Sequence, residues 1–263
     1  MTQRRDFETY TDLLREAAQR VSGVRSLVLL GSASEEARAR RDEWSDHDFY
    51  AVLEPGSQDE VRRRLDLLPL REHVVLVAAE GTLGFTVLWD DGHLFEFGIG
   101  TLEELGAVGV DSAQVLHDPH GDGATLVHDA RLRRAEAVPP RAEDAVGLAL
   151  VKLLIGYGRA RRGEVLSASA FVRGHAVPHL CAAVRLRRAA VVAATDQSDP
   201  FDPLRRFEHD HPAIASAVAE AMMLPVDEAA RALVRLLRTE LEPTWPEFPT
   251  AAADVVERRL ATD

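Results

Sequence analysis

A chain of 263 residues with a formal net charge of -12 repels polyanions at long range, which argues against a protein that grips nucleic acid through many phosphate contacts. Its 46% hydrophobic and 28% charged residues are those of a globular protein; no apolar run approaches the roughly 20 residues of a membrane helix, and the length suits two domains. The lone cysteine, Cys181, cannot form an internal disulfide and the charged N-terminus has no apolar signal core, so a cytoplasmic protein is expected.

Apolar residues Phe7, Tyr10, Leu13, Leu14, Ala17, Ala18 and Val21 recur at helical spacing, which predicts an amphipathic helix from Arg4 to Val21, stopped near Gly23. Strands are predicted at Ser26–Leu30, Asp48–Leu53, Val74–Val77, Thr82–Trp89, His93–Ile99 and Ala113–His117. Asp90-Asp91-Gly92 forms a hairpin turn, and a helical segment covers Gln58–Leu67. These elements make an α+β domain ending near Pro119. "AVPPRAED" then marks a boundary, and the periodicity turns helical, with helices expected near 141–162, 167–193, 212–223, 226–240 and Ala251–Leu260. The Pro-rich "DPFDPLRRFEHDHP" and "EPTWPEFP" interrupt them.

Two features of the first half carry chemistry. Residues two apart in an extended segment share a face, so Asp46 and Asp48 project together at the start of the second strand. Close carboxylates raise each other's cost of ionisation unless a cation lies between them, and paired aspartate oxygens suit Mg²⁺. Read alone, the triplet fits a solvated loop with ordinary turn aspartates, which is what most such triplets are. The preceding apolar strand ends at Gly31-Ser32, a turn whose backbone N–H groups can hold phosphate oxygens. A third acid, Glu96, alternates with Phe95 and Phe97 in "HLFEFGIG", where an unpartnered charge is expensive.

An apolar strand, Gly-Ser, a linker of thirteen residues, "DHDFY" and then "LFEFG" resembles the signature of the polymerase β-like nucleotidyltransferases. "DEWSDHDFYAVLEPG", "VLHDPHG" and "DPLRRFEHDHP" are similar to stretches of the bacterial aminoglycoside and lincosamide nucleotidyltransferases. His47 departs from the family's usual apolar middle residue. The resemblance implies an N-terminal catalytic domain with a mixed sheet, residues 1–138, followed by a helical bundle, residues 139–263. It implies that Gly31 and Ser32 hold the β- and γ-phosphates of ATP or another nucleoside triphosphate. Asp46 and Asp48 then bind Mg²⁺, and Glu96 is a further metal ligand or the general base. The implied reaction transfers a nucleoside monophosphate, AMP from MgATP, to a hydroxyl of a small molecule such as an antibiotic, with release of pyrophosphate. Rival readings are nucleotidylation of a protein or tRNA, which the net charge opposes, and an inactive nucleotide-binding sensor. A monomer or a homodimer fits equally.

Lys152 is the chain's only lysine and sits in the apolar run "AVGLALVKLLIGY". A buried ammonium needs an anion, although a lysine on a helix edge can reach solvent. The resemblance places it against the triphosphate. Some relatives carry a glutamate one turn earlier; Leu148 occupies that position, leaving Glu96 or Asp144 as base. Arg205 and Arg206 either reach a phosphate or pair locally with Glu208 or Asp202. Trp44 and Trp89 are candidates for the cleft or the core.

Three weaker signals are read as structural. "DPHGDG" mimics the start of a calcium loop but reads as a turn. His175, His179 and Cys181 lack a fourth zinc ligand, and Pro178 disturbs their helix. His209 and His211 read as capping or surface residues. The arginine-bearing linker of "GSASEEARARRDEWSDHD" is expected either to close over a nucleotide or to be a solvated loop.

Overall fold

The fold is described from a computed structural model in which residues 5–192 and 202–261 are described. Arg4, residue 193 and the first three residues of "DPFDPLRRFEHDHP" lie outside them. The chain divides into two units, Met1–Ala137 and Val138–Asp263.

In the first unit, helix α1 (Phe7–Arg20) begins after Asp6 and ends before Gly23, whose φ of +87° permits the sharp entry into β1 (Val24–Leu30). The remaining strands are β2 (His47–Leu53), β3 (Val74–Glu80), β4 (Gly84–Trp89), β5 (Leu94–Thr101) and β6 (Ala113–His117). They form one sheet in the order β3-β4-β5-β2-β1-β6, with β2 and β5 parallel and every other pair antiparallel. The architecture is α+β with a mixed sheet, as expected from the sequence. Helix α2 (Gln58–Arg64) stops earlier than predicted because Leu65 takes up a left-handed conformation, with φ +50°.

Alternation along β2 separates two faces. Phe49, Ala51 and Leu53 point into a core with Tyr10, Leu14, Ala17, Val61, Trp89, Phe95 and Phe97. Val52 points the other way, beneath Leu105 and Leu126. Leu126 belongs to α3 (Asp122–Glu136), a helix that the sequence reading missed. Only Gly123, Leu126, Val127 and Ala130 of its fifteen residues are buried, too narrow an apolar stripe to stand out. Its start is fixed by Asp118, whose carboxylate accepts hydrogen bonds from the Gly123 and Ala124 amides and from the Ser26 hydroxyl. "DPHGDG" is therefore a turn leading into a helix, with its first acid spent on amides.

His47 belongs to the core. It is fully buried, stacked on Phe7 at 3.8 Å, and its Nε2 lies 2.8 Å from the Thr11 hydroxyl while its Nδ1 lies 2.7 Å from His93 Nε2. Burial first, then the nearby His93 and Arg41, pushes its pKa down to about 2. The unfolded chain takes up this proton near pH 6.5 while the folded chain refuses it, so stability falls as pH drops below that value. Urea unfolding should show a loss approaching about 1.4 kcal/mol per pH unit between pH 6 and 4.5 from this site. In a His47→Leu variant that slope should shrink; an unchanged slope would place the acid sensitivity elsewhere.

The second unit is helical. Helix α4 (Ala142–Arg161) packs against a long rod made of α5 (Val165–Ser169), a π-helical stretch (Ala170–Ala176) and α6 (Val177–Val192). The rod was expected as one α-helix; the wider π turn immediately precedes Pro178, whose missing N–H an α-helical ladder tolerates poorly. α7 (Phe207–Asp210), α8 (Pro212–Met222), α9 (Val226–Leu241) and α10 (Thr250–Leu260) complete the unit around Leu153, Leu233, Leu237 and Trp245. His211, expected as a capping or surface residue, sits at the N-cap position of α8 and is buried against Phe207.

Candidate metal and phosphate site

The strand register assembles the acids. Asp48 lies opposite Leu30 on β1 and opposite Glu96 on the parallel neighbour β5, and Glu96 in turn lies opposite Thr86 on β4. Asp46 immediately precedes β2. As a result Asp46, Asp48 and Glu96 each offer a carboxylate oxygen within 4.8 Å of the other two. Oxygens bound to one Mg²⁺ at about 2.1 Å lie at most about 4.2 Å apart, so modest side-chain adjustment suffices to surround an ion. All three donors are hard oxygens, the set that suits Mg²⁺.

Electrostatics agree with this geometry. The Glu96 pKa is raised, first by partial burial of its carboxyl group and then by the charges of Asp46 and Glu80. Burial raises the Tyr50 pKa too, with a further push from Asp48. In both, negative neighbours add to a shift that burial begins, and a divalent cation would relieve that part of it. The expectation that Glu96 is a buried charge needs correction: the residue is exposed. Glu80, at the end of edge strand β3, escaped the sequence reading because nothing in "VVLVAAE" links it to Glu96 until three strands are placed in register.

The strand β1 opens into a 3-10 turn, Gly31–Ala33. Gly31 has φ +51°, and a Cβ there would stand 3.3 Å from Asp48 Oδ2. Glycine thus allows both the left-handed turn and the close approach of the backbone to the carboxylate. Its own N–H is spent on the Ser112 carbonyl at 3.0 Å. Gly31 therefore shapes the turn, with its own amide already engaged.

The linker is stitched down along its length and is neither a flap nor a loose loop. Glu36 accepts from the Ala113 amide and from Arg131, Arg40 donates to Ser112 Oγ, and the Glu35 amide donates to Gln114. Arg41, which the sequence reading did not single out, donates to the carbonyls of Ser32 and Ala33 at 3.0 and 3.1 Å and to Glu8 at 2.6 Å. Its guanidinium lies 4.1 Å over Phe7, the ring stacked on His47. One side chain thereby ties the turn to α1 and, through the Phe7 ring, to His47 between the two aspartates. Arg41→Ala should cost about 1.5–3 kcal/mol in urea unfolding, the range for hydrogen bonds to a charged group. Arg41→Lys should recover less than half of that, because an ammonium lacks the planar fork. Equal stability of all three proteins would refute this role.

Of the two tryptophans, Trp89 is core, donating its indole N–H to the Pro69 carbonyl, while Trp44 is exposed two residues before Asp46. Lys152 belongs to α4 of the second unit and is half-buried, less enclosed than its apolar surroundings suggested, since Leu148, Val151 and Ile155 on the same helix are exposed. Asp144 is exposed on the first turn of α4, near Arg141. His175, His179 and Cys181 form no metal cluster among the described residues, where Asp46, Asp48 and Glu96 make the one such group.

Comparisons with known proteins give a distant likeness. No family model and no curated protein matches the chain. Among solved structures, it is similar to an aminoglycoside 6-adenyltransferase from Bacillus subtilis, at 12% identity and a TM-score of 0.30, covering 98% of this chain and 93% of that one. It is also similar to a nucleotidyltransferase-like protein from Exiguobacterium sibiricum, at 12% identity and a TM-score of 0.34, covering 89% of this chain and 75% of that one. Likenesses this remote are no basis for a functional conclusion, which rests on the geometry of the acids and the turn.

Proposed function

We propose that the protein is a Mg²⁺-dependent nucleotidyltransferase that moves AMP from ATP to a hydroxyl group of a small molecule. The observation that carries this reading is the placement of three convergent carboxylates on adjacent strands beside a glycine turn, with Gly31 against Asp48. Asp46, Asp48 and Glu96 would hold the ion, which supplies neutralisation of the triphosphate and of the departing pyrophosphate. Ser32, on the turn that Gly31 shapes, would bind the terminal phosphates.

In the proposed step the acceptor oxygen forms a bond to the α-phosphorus and the bond from that phosphorus to the bridging oxygen breaks. Pyrophosphate leaves with the electron pair, and the hydroxyl proton passes to a Glu96 carboxylate oxygen. Asp144 is the alternative base. The acidity around Glu96 and Glu80 favours a cationic acceptor, so an aminoglycoside is the first class to test and a lincosamide the second.

The test is a screen of hydroxylated antibiotics with the protein and MgATP, read by mass spectrometry for a product heavier by one AMP unit. Pyrophosphate release that requires both Mg²⁺ and an acceptor, and that stops with EDTA, is the expected result. Nucleotide binding without pyrophosphate release from any acceptor would establish a sensor instead. Transfer of labelled nucleotide to protein or tRNA in a lysate would move the acceptor to a macromolecule.

A further inference from the structure

The two edges of the sheet in the first unit are finished differently. Edge strand β6 has only five residues, and side chains occupy its rim: the Glu36 carboxylate accepts from the Ala113 amide, and Gln114 accepts from the Glu35 amide. Edge strand β3, "VVLVAAE", has no such cover. Of its seven residues only the last, Glu80, is charged, none is proline, and among the described residues no side chain hydrogen-bonds to its backbone. Val75, Leu76 and Val77 are 60%, 52% and 46% exposed, and Ala78, Ala79 and Glu80 are exposed with them. A register shift between Val74 and Leu76 bends one end and leaves residues 76–80 regular. An apolar edge of this kind is a template for another strand, which natural sheets blunt with charges, prolines or a covering segment.

The order of side chains along β3 selects that other strand. Bulky Val75 and Leu76 lie on one side of Val77, and small Ala78 and Ala79 lie on the other. We propose that β3 pairs antiparallel with β3 of a second copy of the chain, about a two-fold axis at Val77. Leu76 then stands opposite Ala78 of the other copy and Val75 falls towards its Ala79, so that each large side chain meets a small one. Each Glu80 lies opposite Val74 of the other copy, and the two Glu80 carboxylates are kept about 20 Å apart at about 3.4 Å per residue. A parallel pairing in register would set large against large and Glu80 against Glu80, like charges side by side.

The pairing closes on itself, because the other edge of each sheet is covered, so it gives a dimer and not a fibre. Main-chain hydrogen bonds supply affinity and the alternating side chains supply register. Ala78 lies opposite Thr86, and Thr86 opposite Glu96, so Ala78 is on the face of the sheet that carries the acids. Residues opposite one another in an antiparallel pair point the same way, so the joined sheet presents both acid groups on one side. None of this depends on the reaction proposed above.

Sedimentation of the full-length protein should show a monomer–dimer equilibrium, and amide hydrogen exchange of residues 75–79 should slow as protein concentration rises. Val77→Lys, at an exposed position, sets two ammonium groups face to face on the axis and should weaken association roughly tenfold. Leu76→Glu and Ala78→Lys should each weaken association alone, yet a mixture of the two should form a heterodimer more tightly than either variant forms a homodimer, because the register sets residue 76 opposite residue 78. A monomer at every concentration, or a dimer that Val77→Lys leaves intact, overturns the proposal. Exchange protection of residues 75–79 that does not change with concentration overturns it too, since the strand would then be covered within a single chain. A dimer weakened by Val77→Lys without a preference for the heterodimer overturns the register at Val77.

Discussion

Asp48→Asn should lower turnover by on the order of 10³-fold or more while the protein melts within about 2 °C of the parent. The activity loss follows from the position of the side chain. Asp48 stands at the centre of the acid group, opposite Glu96 in the register and within contact of the space that a Gly31 side chain would fill. An amide at this position keeps the shape and removes the charge, so the affinity of the site for a divalent ion falls with it. Stability should change little because the charge lost is one of several like charges, and easing their repulsion offsets what the carboxylate itself contributes. Mg²⁺ titration by calorimetry and pyrophosphate release check the two halves of the expectation. A variant that still turns over would refute Asp48 as a metal ligand.

Phe49→Ala, one residue further along the same strand, should do the opposite. Phe49 is fully buried, stacked on Phe97 with centroids 4.6 Å apart and edge-on to Phe95 at 5.6 Å. Truncation of such a ring costs about 3–5 kcal/mol from lost burial and the cavity left behind. That is a large fraction of the about 5–15 kcal/mol by which domains are stable, so urea unfolding of the first unit should move to a much lower midpoint. Whatever protein remains folded should still bind Mg²⁺, since the acid face is untouched. A midpoint shift below about 1 kcal/mol would mean that the aromatic stack is not what holds this sheet to α1. Adjacent residues thus separate the acid group from the core because successive side chains of a strand face opposite sides.

The elements with strong periodicity were legible from the chain. The strand "LVLL", the alternation in "DHDFYAVL" and "HLFEFGIG", and the apolar stripes of α1, α4 and α9 each carry a local pattern that burial of one face imposes. Asp46, Asp48 and Glu96 could be picked out for the same reason: acids at positions where the alternation predicts a shared face call for an explanation. α3 was missed because its packed stripe is only four residues wide. His47 was seen as an oddity between two acids, and its role as a core residue depends on Thr11, Phe7 and His93 from two other segments.

What the sequence by itself determined, then, is the strongly periodic strands and helices, and the identity of the acids, because each depends on neighbours within a few residues. The tertiary structure decided which acids converge and what the arginine-bearing linker does. Asp48 and Glu96 are 48 positions apart in the chain and become neighbours only through the parallel pairing of β2 with β5. Arg41 gains its meaning from carbonyls eight and nine positions earlier and from α1. Lys152 and His179 belong to different helices, and only the fold brings the charge of the first close enough to act on the second. Charge and hydrogen bonding act through space, and no pattern along the chain encodes a distance that only folding creates.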